Sequence, residues 1–185
     1  MTALPFPAEV PENKIFSRCA DSLEGLPDAL LRLLEAQRED WPQLADGVRA
    51  LSSVRVRRLP LEGTSVLLQF NPVRIVSTSA KVDAGTIRQR RCFLCVPHLP
   101  EPQQGILVLG SFLVLCNPAP IFFGHFTISH VTHRPQQLAH NITSMLDLAR
   151  GLSPRFTVFY NGPQCGASAP DHLHFQACPT GGIPI

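Results

Sequence analysis

Apolar residues recur along this chain with two different periods. Leu30, Leu31, Leu33 and Leu34 cluster behind Pro27 and Asp28, which together signal the start of a helix, and Pro42 ends the pattern. Further on, Leu138, Ile142, Met145, Leu146 and Ala149 fall at i, i+4, i+7, i+8 and i+11. That is a stripe along one helix face, with Pro135 ahead of it and Gly151 behind it as boundaries. Elsewhere the period is two, or the apolar runs are short. Residues 54–57 alternate, and residues 65–70 end at the turn-like Asn71-Pro72. Residues 106–109, 112–116, 122–129, 156–160 and 173–178 are each of strand length. This order of elements predicts an α+β fold in which an antiparallel β-sheet of about five or more strands carries helices on one face.

The chain has 185 residues, enough for one domain with a sizeable core. Residues 1–25 are interrupted by proline and read as an arm, so residues 1–50 are expected to form an N-terminal arm and helix, and residues 51–185 the main domain. The 18 prolines argue against a long helical bundle, and a charged fraction of 16% against a disordered polyelectrolyte. A net charge of +2 without a block of either sign argues against a nucleic-acid partner. The start MTALPFPAEV has neither a basic n-region nor an apolar h-region, which points to the cytoplasm. Residues 105–124 are free of charge, but Asn117, Pro118 and Pro120 divide them into runs too short for a membrane span. In a reducing compartment the six cysteines are metal ligands or buried thiols rather than disulfides.

The segment Asp171-His172-Leu173-His174-Phe175-Gln176-Ala177-Cys178 carries the clearest chemical signal. On a strand His172, His174, Gln176 and Cys178 share one face, and Leu173, Phe175 and Ala177 take the other. The two histidine Cα atoms then stand about 7 Å apart. One imidazole can hold a metal while the other attacks a substrate beside it. An imidazole nitrogen attacks phosphorus and leaves it again readily, dividing one displacement into two. Neutral donors stabilise a phosphoryl group in transit, and Gln176, Ser168 and the loop at Gly166 supply them. Cys92-Phe93-Leu94-Cys95 offers two thiolates at zinc spacing, with His125, His130, His133 and His172 as candidates for the other ligands; the spacing alone fits a redox pair equally well.

Four segments, Cys92 to Cys95, Phe112 to Asn117, Thr127 to His133 and Asn161 to Gln176, occur in an order and spacing that resemble the galactose-1-phosphate uridylyltransferases and the dinucleoside-polyphosphate and GDP-sugar phosphorylases of the histidine triad superfamily. The resemblance spans about residues 65–180, and the stretch from Gly166-Ala167-Ser168 to Gln176 looks most like the GDP-sugar phosphorylases. It implies a nucleotidyltransferase or phosphorylase that cleaves a nucleoside diphosphate-sugar or a dinucleoside polyphosphate through a covalent nucleotidyl-histidine, with phosphate as acceptor. His174 would be the nucleophile, lying open beside a phosphate cradle, and Gln176 would bond a phosphate oxygen. Cys92, Cys95, His133 and His172 match a structural zinc (Zn2+) tetrad. Asn117 matches a position near the nucleoside, and Asn161, Gly166 and Ser168 positions around the phosphates. Arg74 and Lys81 are further phosphate contacts, and His125, after Gly124, has a supporting place.

The resemblance also implies a homodimer. Three residues separate Ser168 from His172, one more than in the uridylyltransferases, so the phosphate loop does not transfer in detail. The chain ends nine residues after Gln176, where the resembling enzymes continue into a second half that the domain is expected to lack. Two other outcomes fit the same residues: a hydrolase in which water accepts the nucleotide, and a zinc-stabilised nucleotide-binding module without turnover.

Overall fold

A computed structural model describes residues 9–19, 22–74 and 83–183. Strands β1 (Ile15–Cys19), β4 (Gly105–Val108), β5 (Phe112–Cys116), β6 (Phe126–His130), β7 (Phe156–Phe159) and β8 (His174–Pro179) form one six-stranded sheet in the order β1-β4-β5-β6-β8-β7. The pair β1–β4 is parallel and every other neighbouring pair is antiparallel. Helices α1 (Leu26–Asp40), α2 (Pro42–Arg49) and α4 (Ile142–Leu152) accompany this sheet, and α3 (Ala84–Gln89) precedes Cys92. The α+β architecture, with a sheet that is mostly antiparallel and few helices, is the one the sequence predicts.

One sheet face is dry. Leu26, Ala29, Leu30, Leu33 and Leu34 line α1 at helical spacing, and Leu148 and Leu152 face inward from α4. They pack with Phe112, Val114, Phe126, Ile128, Phe156, Leu173, Phe175 and Ala177 in a single cluster. Each valine, leucine, isoleucine or phenylalanine among them contributes roughly 1.5–3 kcal/mol when fully buried. The opposite face is covered more lightly: Leu113 and Leu115 of β5 pack against Val10, Val96, Leu99 and Val131. Beyond them Thr127 and Ser129 of β6 and His174 and Gln176 of β8 give this face polar side chains.

Several elements differ from their predicted form. The segment read as an arm contains β1, which pairs with β4 through a bulge between Ile15 and Ser17. The Lys14 ammonium holds it there by donating to the carbonyls of Pro100 and Glu101 at 2.6 and 2.9 Å. α1 packs into the same core as the sheet. The strand expected from residue 122 begins at Phe126, since Gly124 takes a left-handed φ of 73° that breaks the extended run. Gly151 lies inside α4 rather than after it, where a Cβ would collide with Leu23. Strands β2 (Arg55–Leu61) and β3 (Thr64–Phe70) form a separate antiparallel hairpin, almost wholly exposed, whose Gln69 donates to the Ile121 carbonyl at 3.0 Å. No helix among the described residues is long and apolar enough to cross a membrane.

Candidate functional site

β8 runs in the interior of the sheet, between β6 and β7. Its register pairs His174 with Ser129, and Gln176 with both Thr127 and Phe159. Phe175 and Ala177 are fully buried on the helix side, which commits His174 and Gln176 to the other face. His172 lies just before the strand, and its ring sits on Ser129 of the neighbouring strand, Nε2 to Oγ at 3.1 Å. The alternating histidines therefore reach the same face.

The two rings are fixed differently. Nε2 of His172 is 2.7 Å from the His130 carbonyl, an acceptor only, so Nε2 carries the hydrogen and Nδ1 the lone pair. That Nδ1 lies 3.3 Å from Sγ of Cys92 and 3.6 Å from Sγ of Cys95. In His174 the order is reversed. Nδ1 lies 2.8 Å from the His172 carbonyl and must donate to it, so the lone pair is on Nε2, which has no hydrogen-bond partner among the described residues. Burial lowers the pKa of His174 below the ordinary histidine value, which keeps the ring neutral. The strand alternation suggests an open ring, yet only 4% of His174 is exposed. The physical reason is its place on an interior strand, with Gln136 packed on the backbone beside it. Gln136 accepts from the His174 N–H at 2.8 Å and donates to the carbonyls of His174 and Asn161 at 3.0 and 2.9 Å.

Gln176 is half-buried and held at both ends of its amide. Its Oε1 lies 2.8 Å from Nε2 of His125, and its Nε2 donates to Oδ1 of Asn161 at 3.2 Å. Burial, partly opposed by the bond to Gln176 and aided by the charge of Arg74, pushes the pKa of His125 down to about 4. The charge of Arg74 is thus felt at the ring that holds Gln176. Asn161 and Gly166 are also in contact range: a Cβ on Gly166, whose φ is 89°, would lie 3.5 Å from Nδ2 of Asn161. Asn117 shapes the next turn, accepting from the Ala119 N–H at 3.0 Å and donating to Oγ1 of Thr127 at 3.3 Å. Ser168 is exposed, and its carbonyl accepts from Arg90. Lys81 lies outside the described residues.

Cys92, Cys95, His133 and His172 converge, with one donor atom from each all within 4.8 Å of one another. Nδ1 of His133 is 3.2 Å from Sγ of Cys95. A tetrahedron with zinc-ligand bonds of roughly 2.0–2.3 Å has edges of about 3.3–3.8 Å, so the sulfur–nitrogen separations fit a zinc ion. The donor set fits as well. Burial and the neighbouring Cys92 thiol push Cys95 up to about 12, and a dication would offset that cost by stabilising the thiolate. Of the other histidine candidates, His125 is committed to Gln176, and His130 bonds Thr132 and Arg134 and meets the edge of Phe112.

Residues without a sequence signal complete the site. Gln136 sits in a loop with no flanking pattern. His98 braces the Cys92 turn, Nδ1 donating to the Cys92 carbonyl at 2.9 Å. Arg90 and Asp171 form an ion pair at 3.0 Å beside His133.

Comparison with known proteins places the fold. A structure of yeast Ap4A phosphorylase Apa2 in complex with AMP superposes with a TM-score of 0.54 and 20% identity, covering 88% of this chain and 51% of that one. A second structure of yeast Ap4A phosphorylase Apa2 gives a TM-score of 0.53 and 20% identity, over 88% of this chain and 49% of that one. The chain thus spans about half the length of the solved structures it matches, and at this identity the likeness concerns the fold. No curated protein matches the chain. A family model described as Domain of unknown function (DUF4922) matches residues 33–179.

Proposed function

The chain belongs to the DUF4922 family, and we propose that it is a nucleotidyltransferase of the phosphorylase type, acting on a nucleoside diphosphate-sugar or a dinucleoside polyphosphate. The observation that carries the reading is the opposite polarity of two neighbouring rings. His172 turns its lone pair to the thiols, while the His172 carbonyl takes the Nδ1 hydrogen of His174 and leaves Nε2 of His174 as the nucleophilic atom. The fold shared with a phosphorylase whose structure contains AMP supports a nucleotide as substrate.

In the first displacement Nε2 of His174 forms a bond to the α-phosphorus, the bond from that phosphorus to the bridging oxygen breaks, and the sugar phosphate or nucleoside polyphosphate leaves with the electron pair. In the second, an oxygen of inorganic phosphate forms a bond to the same phosphorus and the phosphorus–nitrogen bond breaks, releasing a nucleoside diphosphate and free His174. Gln176 points one amide hydrogen at Asn161 and has a second for a phosphate oxygen. Arg74 supplies positive charge at the same end, and Asn161, Gly166 and Ser168 form the surrounding loop. Cys92, Cys95, His133 and His172 would hold zinc, which supplies a rigid cross-link between the Cys92 turn and the start of β8. Lys81 remains a proposed phosphate contact, and a homodimer the proposed assembly.

Product analysis tests this reading. Incubation with diadenosine tetraphosphate or GDP-sugars should release nucleoside diphosphate only when inorganic phosphate is present. Nucleoside monophosphate released without phosphate would instead identify a hydrolase. The near-complete burial of His174 favours a second reading, a zinc-stabilised module that binds nucleotide without turnover. That reading requires AMP binding with no product under either condition.

A further inference from the structure

Arg90 has no assigned part in the chemistry above, yet it is held from several sides. Its Nη2 donates to Oδ1 of Asp171 at 3.0 Å and to the Ser168 carbonyl at 3.2 Å. Its guanidinium carbon lies 5.0 Å from the centroid of the Phe93 ring, between the two cysteines of the Cys92 turn. Its Nε is buried without a hydrogen-bond partner among the described residues, a cost that a purely structural surface arginine would shed by turning to water. Arg90 and Asp171 are each about one-fifth exposed, so their attraction is less screened than that of a surface pair.

The other oxygen of Asp171 continues the chain of contacts. Oδ2 lies 3.7 Å from Nε2 of His133, whose Nδ1 faces Cys95. A histidine that ligates through one nitrogen is oriented by what its other nitrogen meets, and a carboxylate is the usual partner. Asp171 is also the residue before His172. One residue therefore meets His133 with its carboxylate and leads into His172 with its backbone, while the arginine paired with it grips the loop carbonyl at Ser168. We infer that Arg90 and Asp171 are positioning residues that brace the metal-ligating His133 and the phosphate-loop carbonyl of Ser168 as one unit. The inference rests on the proposed function only through its metal site. It assigns neither residue a contact with substrate.

The test uses the zinc-loaded protein and its Asp171→Asn, Arg90→Gln and Arg90→Lys variants, read by competition with a chromogenic zinc chelator and by the visible spectrum after cobalt substitution. Loss of the carboxylate in Asp171→Asn should weaken zinc binding by about 10–100-fold and shift the cobalt bands, which report ligand geometry. Arg90→Gln, which leaves Asp171 in place, should move both readouts in the same direction, and Arg90→Lys should restore them to within about threefold by keeping a cation on Asp171. Should Asp171→Asn fail to fold, the two Arg90 variants carry the test. Zinc affinities and cobalt spectra equal to those of the unsubstituted protein would overturn the brace and leave the metal site standing. An unsubstituted protein that takes up no zinc would overturn both.

Discussion

Nδ1 of His125 accepts the backbone N–H of Ile121 at 3.2 Å, so the hydrogen on its ring must be on Nε2, where it is donated to Oε1 of Gln176. That bond orients the amide: with Oε1 engaged, the NH2 group of Gln176 faces Asn161 and the proposed phosphate position. Replacing His125 with Phe leaves Oε1 without its donor and frees the amide to turn over. The expected result is a fall in the single-turnover rate of about 10–100-fold, the equivalent of roughly 1–3 kcal/mol, with nucleotide affinity changed less. Rapid-quench kinetics on the variant would show it.

His125 also gives the protein an acid limit. Burial lowers its pKa from the ordinary 6.5 to about 4. The unfolded chain therefore takes up a proton that the folded chain refuses. The stability from the neutral ring is fully present above pH 6.5 and is lost as the pH falls toward 4. Urea midpoints should drop between these limits, by up to about 3 kcal/mol in unfolding free energy. His125→Phe should flatten that part of the profile. A midpoint that holds constant from pH 7 to 4.5 would contradict the burial argument.

Gln136 offers a separate test of how His174 is held. Its side chain makes three hydrogen bonds to backbone, two of them to His174 itself. Gln136→Leu keeps the volume but strands a buried N–H and a buried carbonyl, each worth about 1–3 kcal/mol. Chemical denaturation should therefore show a loss of several kcal/mol. Gln136→Glu, which keeps an acceptor for the His174 N–H but sets a buried carboxylate against the carbonyls of His174 and Asn161, should lose at least as much as Gln136→Leu at neutral pH.

The metal reading predicts one equivalent of zinc, removable by a strong chelator. Removal leaves two thiols and two imidazoles converging with no cation among them, and the cross-link between the Cys92 turn and β8 is lost. Thermal denaturation should shift down by about 2–4 °C for each kcal/mol the site contributes. Cys95→Ser should reproduce the shift without chelator. Equal melting temperatures for loaded and stripped protein would leave the cluster without a stabilising role.

What could be seen in the sequence follows a physical divide. β8 was legible because its period-two pattern is local and because two histidines and a glutamine on one strand face are chemically unusual. The helix stripe through Ile142, Met145 and Ala149 was legible for the same reason, though Gly151 misled: its role is close packing against Leu23, which no local pattern displays. The parallel pairing of β1 with β4 joins residues about ninety positions apart, so proline content near the start suggested an arm instead. Cys92 and Cys95 announced themselves by spacing, but His133 and His172 could be joined to them only through resemblance. Gln136, His98, Arg90 and Asp171 act by reaching backbone or a neighbouring charge, and single polar residues of that kind leave no periodic trace. The burial of His174 is likewise a property of sheet order, since alternation states which face a ring takes and not what covers that face.

The most direct test of the account is whether a nucleotide becomes attached to His174. The protein is mixed with diadenosine tetraphosphate or a GDP-sugar in the absence of phosphate, quenched at alkaline pH where phosphorus–nitrogen bonds survive, and mapped by peptide mass spectrometry. The expected result is one nucleoside monophosphate on the peptide containing His174, absent from His174→Ala and discharged as nucleoside diphosphate when phosphate is added. Turnover without any adduct, or an adduct undiminished in His174→Ala, would contradict the assignment of this ring as the nucleophile.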